Sequence, residues 1–525
     1  MSKGEHRHKI LWIDDEIDLL KPHILFLNQK GYDVDSASSG TEALDLLAKD
    51  SHNWDIIMLD ENMPGLSGLE TLERLKLIAS HLPVIMITKS EEENIMDQAV
   101  GNQIADYLIK PVNPRQILSS LKKILHGEQL VTEQAANSYR REFLDISNLI
   151  SQASTFVEWS EIYRRLTLRS IEFGESAPDL AELLRTQLDE ANKGFFRFIS
   201  RNYLDWIAGQ SEDAPILSHK ILENFVLPKL NDGKKVVLML IDNLRLDQWF
   251  ALRPLILDIF DIERENTCSA LLPTATQYCR NAIFSGLLPL DIRNRFPELW
   301  VDEDSPESKN LNEEPLLQNW LDSKKLSNLR LKYYKANDSA ALQKILKEYN
   351  PDSFDLSVVV INFIDILSHS RTDSMMIKEL ASNDAAYRSL SASWFRHSPI
   401  RDLLRKIAVQ SSPTSLILTT DHGSVRVTNP VKVIGDRDTN DALRYKVGKN
   451  LSFPSKDVFE IKSPTIAGLP SPFLSASYIC ARPGDYFVYP NNFNHYSSFY
   501  QDSYQHGGIS LEEMILPVVT LKNKS

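Results

Sequence analysis

With 525 residues, the chain is long enough for three or four domains at about 150 residues each, and its 42% hydrophobic and 25% charged side chains exclude disordered and fibrous architectures. Its 71 acidic and 58 basic residues leave a formal charge of −13, which argues against a broad non-specific nucleic-acid surface while leaving room for a nucleotide held through metal ions. Three scattered cysteines, Cys268, Cys279 and Cys480, are too few for a disulfide framework or a cysteine zinc site and fit a reducing compartment.

The opening MSKGEHRHKILWIDDE lacks the apolar core of a secretory signal, and no run of about 18 apolar residues follows, so a cytoplasmic chain without a membrane span is expected. From Lys9 to Gly127, short apolar runs at 10–13, 56–59, 84–87 and 107–109 alternate with amphipathic stretches such as 40–49. That is the βα rhythm of a parallel sheet. From 128 the apolar residues fall at helical spacing, as in Phe143, Ile146, Leu149 and Ile150, with a polar break near 174–178, and predict a helical connector. From 234 buried-strand runs return at 236–241, 356–361, 416–419 and 514–519, and predict a second, larger α/β domain. The expected domains are therefore 1–127, 128–233 and 234–525, a multidomain α/β chain with a helical middle.

Asp14 and Asp15 end the first predicted strand, Asp60 ends DIIML and opens DENMPGLSG, Thr88 follows VIMI, and Lys110 follows YLI before Pro111. Strand ends of a doubly wound sheet face its ligand crevice, so these groups converge there. Clustered carboxylates hold a hard cation such as Mg²⁺, which offsets the charge of a phosphoryl group arriving on one of them, while Lys and a hydroxyl hold its other oxygens. The ordered set resembles a response-regulator receiver domain, which implies a doubly wound, flavodoxin-like fold. The resemblance further implies Asp60 as phosphoacceptor, Mg²⁺ held by Asp14, Asp15, Asp60 and the Asn62 carbonyl, and Thr88, Tyr107 and Lys110 as the switch groups. A sensor histidine kinase would be the donor. No short helix-turn-helix with a basic recognition helix follows residue 127; Arg140-Arg141 and Arg164-Arg165 read as solvated faces of the connector.

The second domain carries Asp242 after the run 236–241, Asp365 and His369 in N-F-I-D-I-L-S-H, Asp421-His422-Gly423 after LILTT, and His506 in Q-H-G-G. The D-x-x-x-H spacing returns a second ligand one helical turn later, and the nitrogen and oxygen donors suit zinc or manganese. Between them lies Pro273-Thr274-Ala275-Thr276-Gln277, where a Thr can serve as a metal-activated nucleophile. Four of these elements are expected beside parallel strands. Arg245, Arg280 and Arg371 suit either phosphoryl clamps or structural ion pairs. Asp247 and Asp373 are equally ambiguous, and His6, His8, His397 and His495 read as loop or tail residues. The order of elements resembles the alkaline-phosphatase superfamily and in particular its PglZ domain, over about 234–525. It implies an alkaline-phosphatase-like α/β fold with two zinc ions, one held by Asp242, Thr276, Asp421 and His422, the other by Asp365, His369 and His506. Thr276 would be the nucleophile, leaving Thr274 as turn scaffolding.

The stretches 287–350 and 424–505 read as insertions able to shape a substrate groove, with Tyr486, Phe487, Tyr489, Phe493 and Tyr496 as a buried aromatic cluster or a base-stacking face. Receiver, connector and PglZ domain in this order resemble the response regulators linked to type IX secretion. That resemblance implies a homodimer on phosphorylation, while the P-T-x-T resemblance and the two insertions favour a zinc phosphodiesterase acting on an oligonucleotide or cyclic nucleotide. The alternative is a silent interaction module that docks on a sigma factor or a secretion-system component.

Overall fold

In the computed structural model, which describes residues 7–88, 104–125, 127–173, 178–303, 305, 309–350, 352–409, 414–436, 439–454, 456, 458–472 and 475–524, the apolar runs near the N-terminus are buried strands. His8–Ile13, Tyr32–Ala37, Ile56–Asp60, Val84–Thr88 and Asp106–Ile109 pair in parallel in the chain order 2-1-3-4-5. One face packs Leu11, Ile57, Leu59 and Val84; the other packs Ile10, Trp12, Met58 and Ile85. Two buried faces explain why the three inner strands, His8–Ile13, Ile56–Asp60 and Val84–Thr88, are apolar almost throughout and not alternating, whereas the edge strands Tyr32–Ala37 and Asp106–Ile109 are more polar and partly exposed. The chain divides into two compact units, Met1–Gln134 and Ala135–Ser525.

The second unit is built on a six-stranded sheet in the order Phe260–Ser269, Ile515–Asn523, Thr414–Thr419, Lys235–Ile241, Leu356–Ile361 and Leu331–Ala336. The last four of these are parallel; the apolar runs predict three of them, and Leu331–Ala336, LKYYKA, is a more polar edge strand that they do not. Ile515–Asn523, expected to be parallel like the others, runs antiparallel to both neighbours. An apolar run reports burial on two faces and carries no direction, so this correction comes from the tertiary structure alone. Phe260–Ser269 was not foreseen: FDIERENTCS is polar because it is an edge strand. The stretch 287–350 supplies the opposite edge strand, so part of it belongs to the main sheet.

The connector helices Gly127–Gln152, Phe156–Phe173 and Pro178–Ile207 have no core of their own. Ile146, Trp159, Ile162, Leu166, Phe195 and Ile199 belong to one continuous core with Val236–Ile241 of the central sheet. Residues 174–177 of the expected break lie outside the described residues. The stretch 424–505 forms three small sheets. Tyr486 and Phe487 are buried in them, whereas Tyr496 is 41% exposed.

Candidate functional site

Three adjacent parallel strands, Lys235–Ile241, Leu356–Ile361 and Thr414–Thr419, end on the same edge of the sheet. Their ends deliver Asp242, the helix Phe363–Asp373 with Asp365 and His369, and Asp421-His422. Asp242, Asp421 and His422 each bring one donor atom within 4.8 Å of the others, and so do Asp365, His369 and His506. His422 Nε2 lies 3.8 Å from Asp242 and 3.9 Å from Asp421, while Asp365 stands 3.5 Å from His369 Nε2 and 3.8 Å from His506 Nε2. The His422 and His506 rings stack at 4.2 Å, so the two clusters adjoin.

The donor set fits zinc. Donors bonded at about 2.0–2.2 Å around a tetrahedral zinc stand roughly 3.3–3.6 Å apart, close to these spacings. Buried Asp242 Oδ1 has no hydrogen-bond partner. His422 Nδ1 lies 3.2 Å from the Gly423 carbonyl and His506 Nδ1 lies 3.1 Å from the Thr274 carbonyl. Donation there leaves each Nε2 as the acceptor facing the carboxylates, the tautomer a metal needs. Burial, with His422 adding to it, lowers His506 to about 4 and keeps it neutral. Burial also raises Asp242 well above the carboxylate range, with Asp421 and Asp365 adding to it. A carboxylate buried beside others is costly to ionise until a cation offsets it.

Arg280 supplies part of that offset. It is 1% exposed, donates from Nε to Asp421 at 2.9 Å and pairs through Nη2 with both Asp242 and Asp421. Burial alone would raise Asp421, yet Arg280, helped by His422, draws it down to about 2. Arg280 is thereby a structural ion-pair partner, not a free phosphoryl clamp. Arg245 is likewise engaged, with Asp247 and Asp384. The side chains of Arg371 and Asp373 lie outside the described residues.

Thr276 is the first residue of the helix Thr276–Ser285, where the positive end of the helix dipole favours negative charge. Its Oγ1 lies 2.9 Å from His422 Nε2, and it is half-buried in an otherwise buried stretch. Thr274 is spent on scaffolding: its Oγ1 accepts from the Gly507 N–H at 2.9 Å and donates to the Gly508 carbonyl at 2.8 Å. Gly507 has φ +119, and a Cβ on Gly508 would meet Arg444 at 2.5 Å and the Ala481 carbonyl at 2.7 Å. Only glycines fit behind His506.

Sequence reasoning missed Asn243, Glu513 and Arg444. Asn243, at φ +62, donates from its side chain to Asp365 and to Ser368 at 3.2 Å each and from its N–H to Asp421 at 3.4 Å, and so joins the two clusters. Glu513 pairs with Arg444, both fully buried. An acid pair inside the apolar S-L-E-E-M-I-L-P was the available signal, since buried acids need partners.

In the first unit Lys110 Nζ lies 2.9 Å from Asp14 and 3.0 Å from Asp60, and Asp14, Asp15 and Asp60 bring donor oxygens within 4.8 Å of one another. Burial raises Asp60 against the pull of Lys110, with Asp14 and Asp15 adding to the rise. Buried Thr88 is hydrogen-bonded to half-buried Tyr107, and Asn62 lies on the exposed turn after the strand. A Cβ on Gly68 would stand 2.5 Å from the Asp60 carbonyl, the reason the D-x-x-M-P-x-x-x-G segment ends in glycine.

Residues 221–521 match the family model of the BREX system PglZ alkaline phosphatase-like domain, residues 10–122 that of the response regulator receiver domain, and residues 129–207 that of the PorX response regulator linker domain. The chain is similar to the transcriptional regulatory protein CpxR homolog of Haemophilus influenzae, 35% identical over 131 residues, 25% of this chain and 55% of that protein. It is also similar to the transcriptional regulatory protein ResD of Bacillus subtilis, 32% identical over 142 residues, 27% and 58% of the two chains. It thus spans about half the length of these curated relatives. Among solved structures, the chemotaxis protein CheY4 of Vibrio cholerae is 28% identical and covers 22% of this chain and 98% of its own, at a TM-score of 0.21. No helix among the described residues is long and apolar enough to cross a membrane.

Proposed function

This chain belongs to the PglZ alkaline phosphatase-like family, with a response-regulator receiver ahead of its linker, and on that premise we propose that phosphorylation at Asp60 controls a zinc-dependent phosphodiesterase in residues 234–525. The substrate class we assign is an oligonucleotide or cyclic nucleotide. The observation that carries the reading is Thr276 Oγ1, 2.9 Å from His422, at the meeting of two donor clusters. Zinc held by Asp242, Thr276, Asp421 and His422, and by Asp365, His369 and His506, supplies Lewis acidity that lowers the hydroxyl pKa and offsets charge on the phosphoryl oxygens.

The chain's own groups do the rest. Thr276 is presented at a helix N-terminus, which favours its alkoxide. Its oxygen attacks phosphorus, the P–O bond to the leaving alcohol breaks, and that alcohol departs with a proton. Water then attacks the threonyl phosphate from the opposite side, leaves its hydroxyl on the released phosphate product and gives its other proton to Thr276. Two inversions give net retention at phosphorus. Asn243 and Arg280 hold Asp365, Asp242 and Asp421 in place throughout.

In the receiver, Asp14, Asp15, Asp60 and the Asn62 carbonyl hold Mg²⁺ while a sensor histidine kinase donates the phosphoryl group. Lys110, Thr88 and Tyr107 respond to its arrival, and the active form is a dimer that acts in type IX secretion. The deciding experiment compares hydrolysis of bis(p-nitrophenyl) phosphate and p-nitrophenyl phosphate by zinc-loaded protein, Thr276→Ala and Asp60→Ala. Diester cleavage that falls at least about 10³-fold in Thr276→Ala, with zinc still bound, supports the reading. Zinc bound without cleavage of either ester leaves the interaction module in its place.

A further inference from the structure

One side chain of the connector reaches into the reacting end of the second unit. Asn192 lies in the helix Pro178–Ile207 and is buried. Its Nδ2 donates to both carboxylate oxygens of Glu512, at 3.2 and 3.1 Å, and its Oδ1 accepts from the Leu511 N–H at 2.9 Å. Both ends of the amide are thus spent on the short helix Leu511–Met514.

That short helix packs against the turns that carry His422 and His506, one residue of each donor cluster. Gly423, next to His422, has no side chain where the Glu512 carbonyl stands; a Cβ there would be 2.0 Å from it, and the Gly423 N–H donates to the Glu513 carbonyl at 3.2 Å. The Glu513 carboxylate accepts from the Gly508 N–H at 2.9 Å and from Ser510 Oγ at 2.7 Å and pairs with Arg444, which fixes the turn that carries His506. Asn192 falls inside the linker match and Glu512 inside the PglZ match.

We propose that Asn192 is a positioning residue of the phosphodiesterase: from the connector, through Leu511 and Glu512, it sets His422 and His506 for the metal ions. The inference rests on the two-zinc reading of this site. Helix packing alone has no use for a buried amide on a buried carboxylate, because an apolar pair of the same size avoids the desolvation cost. A polar tie specifies register instead. Sliding the helix by one residue moves Asn192 about 1.5 Å along and 100° around the axis and breaks all three bonds together.

The test uses the full chain with Asn192→Leu and with Asn192→Leu/Glu512→Leu, each measured by zinc titration and by kcat and KM for bis(p-nitrophenyl) phosphate. Asn192→Leu is expected to bind zinc at least tenfold more weakly at one cluster or both and to lose at least tenfold in kcat with KM within twofold. The double variant removes the stranded carboxylate, so its melting temperature recovers while zinc affinity and kcat stay low. Should Asn192→Leu fail to fold, the double variant carries the test alone. Wild-type zinc affinity and kcat in either variant overturn the assignment. A wild-type chain that binds no zinc and cleaves no ester removes the phosphodiesterase reading itself, and the inference with it; wild-type activity with indifferent variants removes the inference alone.

Discussion

Arg280 stands among the crowded carboxylates of one donor cluster, and its guanidinium is buried with Asp242 and Asp421 against it. Removing one partner of such a network strands the other charges at about 3–5 kcal/mol. Arg280→Met is therefore expected to destabilise the metal-free second unit by an amount of that order. Saturating zinc should shrink the difference, because the cation offsets Asp242 and Asp421 directly. Denaturant melts with chelator and with zinc check this, and an equal loss in both would show that charge is not the reason for Arg280. At this scale the clustered acids and histidines were legible in sequence, because Asp and His at strand ends stand out chemically. The division of labour between Thr274 and Thr276 was not a matter of residue type. Both are hydroxyls, and only the contacts of Thr274 with Gly507 and Gly508 take it out of play.

At the scale of elements, the D-x-x-x-H spacing became one face of a helix, as a turn of 3.6 residues requires. The loops between elements are tighter than their sequences reveal. Gly423→Ala places a methyl 2.0 Å from the Glu512 carbonyl. Overpacking of this kind costs about 1–3 kcal/mol. The variant is expected to fold with a lower melting temperature and to lose zinc affinity, because His422 is the adjacent residue; unchanged zinc titration would contradict this. The short helix behind it also has a pH signature. Burial raises Glu512 from 4.5 to about 7, against Arg245 and the Asn192 bonds and together with Asp384. A carboxyl raised on folding contributes stability that is fully present below about pH 4.5 and lost as pH rises through about 7, here of order 3 kcal/mol. Glu512→Gln is expected to flatten that part of the stability–pH curve, read by urea denaturation at several pH values; an unchanged slope between pH 5 and 8 would assign it to other groups.

The whole molecule divides into two compact units, the smaller ending near Gln134 and the larger taking in the connector. Scanning calorimetry of the intact chain is expected to give two transitions. Zinc should raise only that of the larger unit, by about 2.7 kcal/mol at a free concentration one hundred times the dissociation constant, and chelation should reverse it. Mg²⁺ with an aspartyl-phosphate mimic should raise only that of the smaller unit. A single transition that moves with both ions would contradict the division. The helical periodicity of the connector differs from the strand runs on either side and so marks it in sequence as a separate stretch. Periodicity describes which face of a helix is apolar and leaves open what covers it, and here the cover is the sheet of the second unit.

By itself the sequence determined where four apolar strand runs near the N-terminus and four farther on lie, and that acids and histidines follow several of them. Those properties follow from local composition, which is why they were legible. Only the tertiary structure decided that Ile515–Asn523 runs antiparallel, that Arg280 is bound between Asp242 and Asp421, and that Asn192 of a helix joins Glu512 some three hundred positions later. Direction, ion-pair choice and the meeting of distant side chains depend on which surfaces come together in three dimensions, and no window of neighbouring residues contains that information.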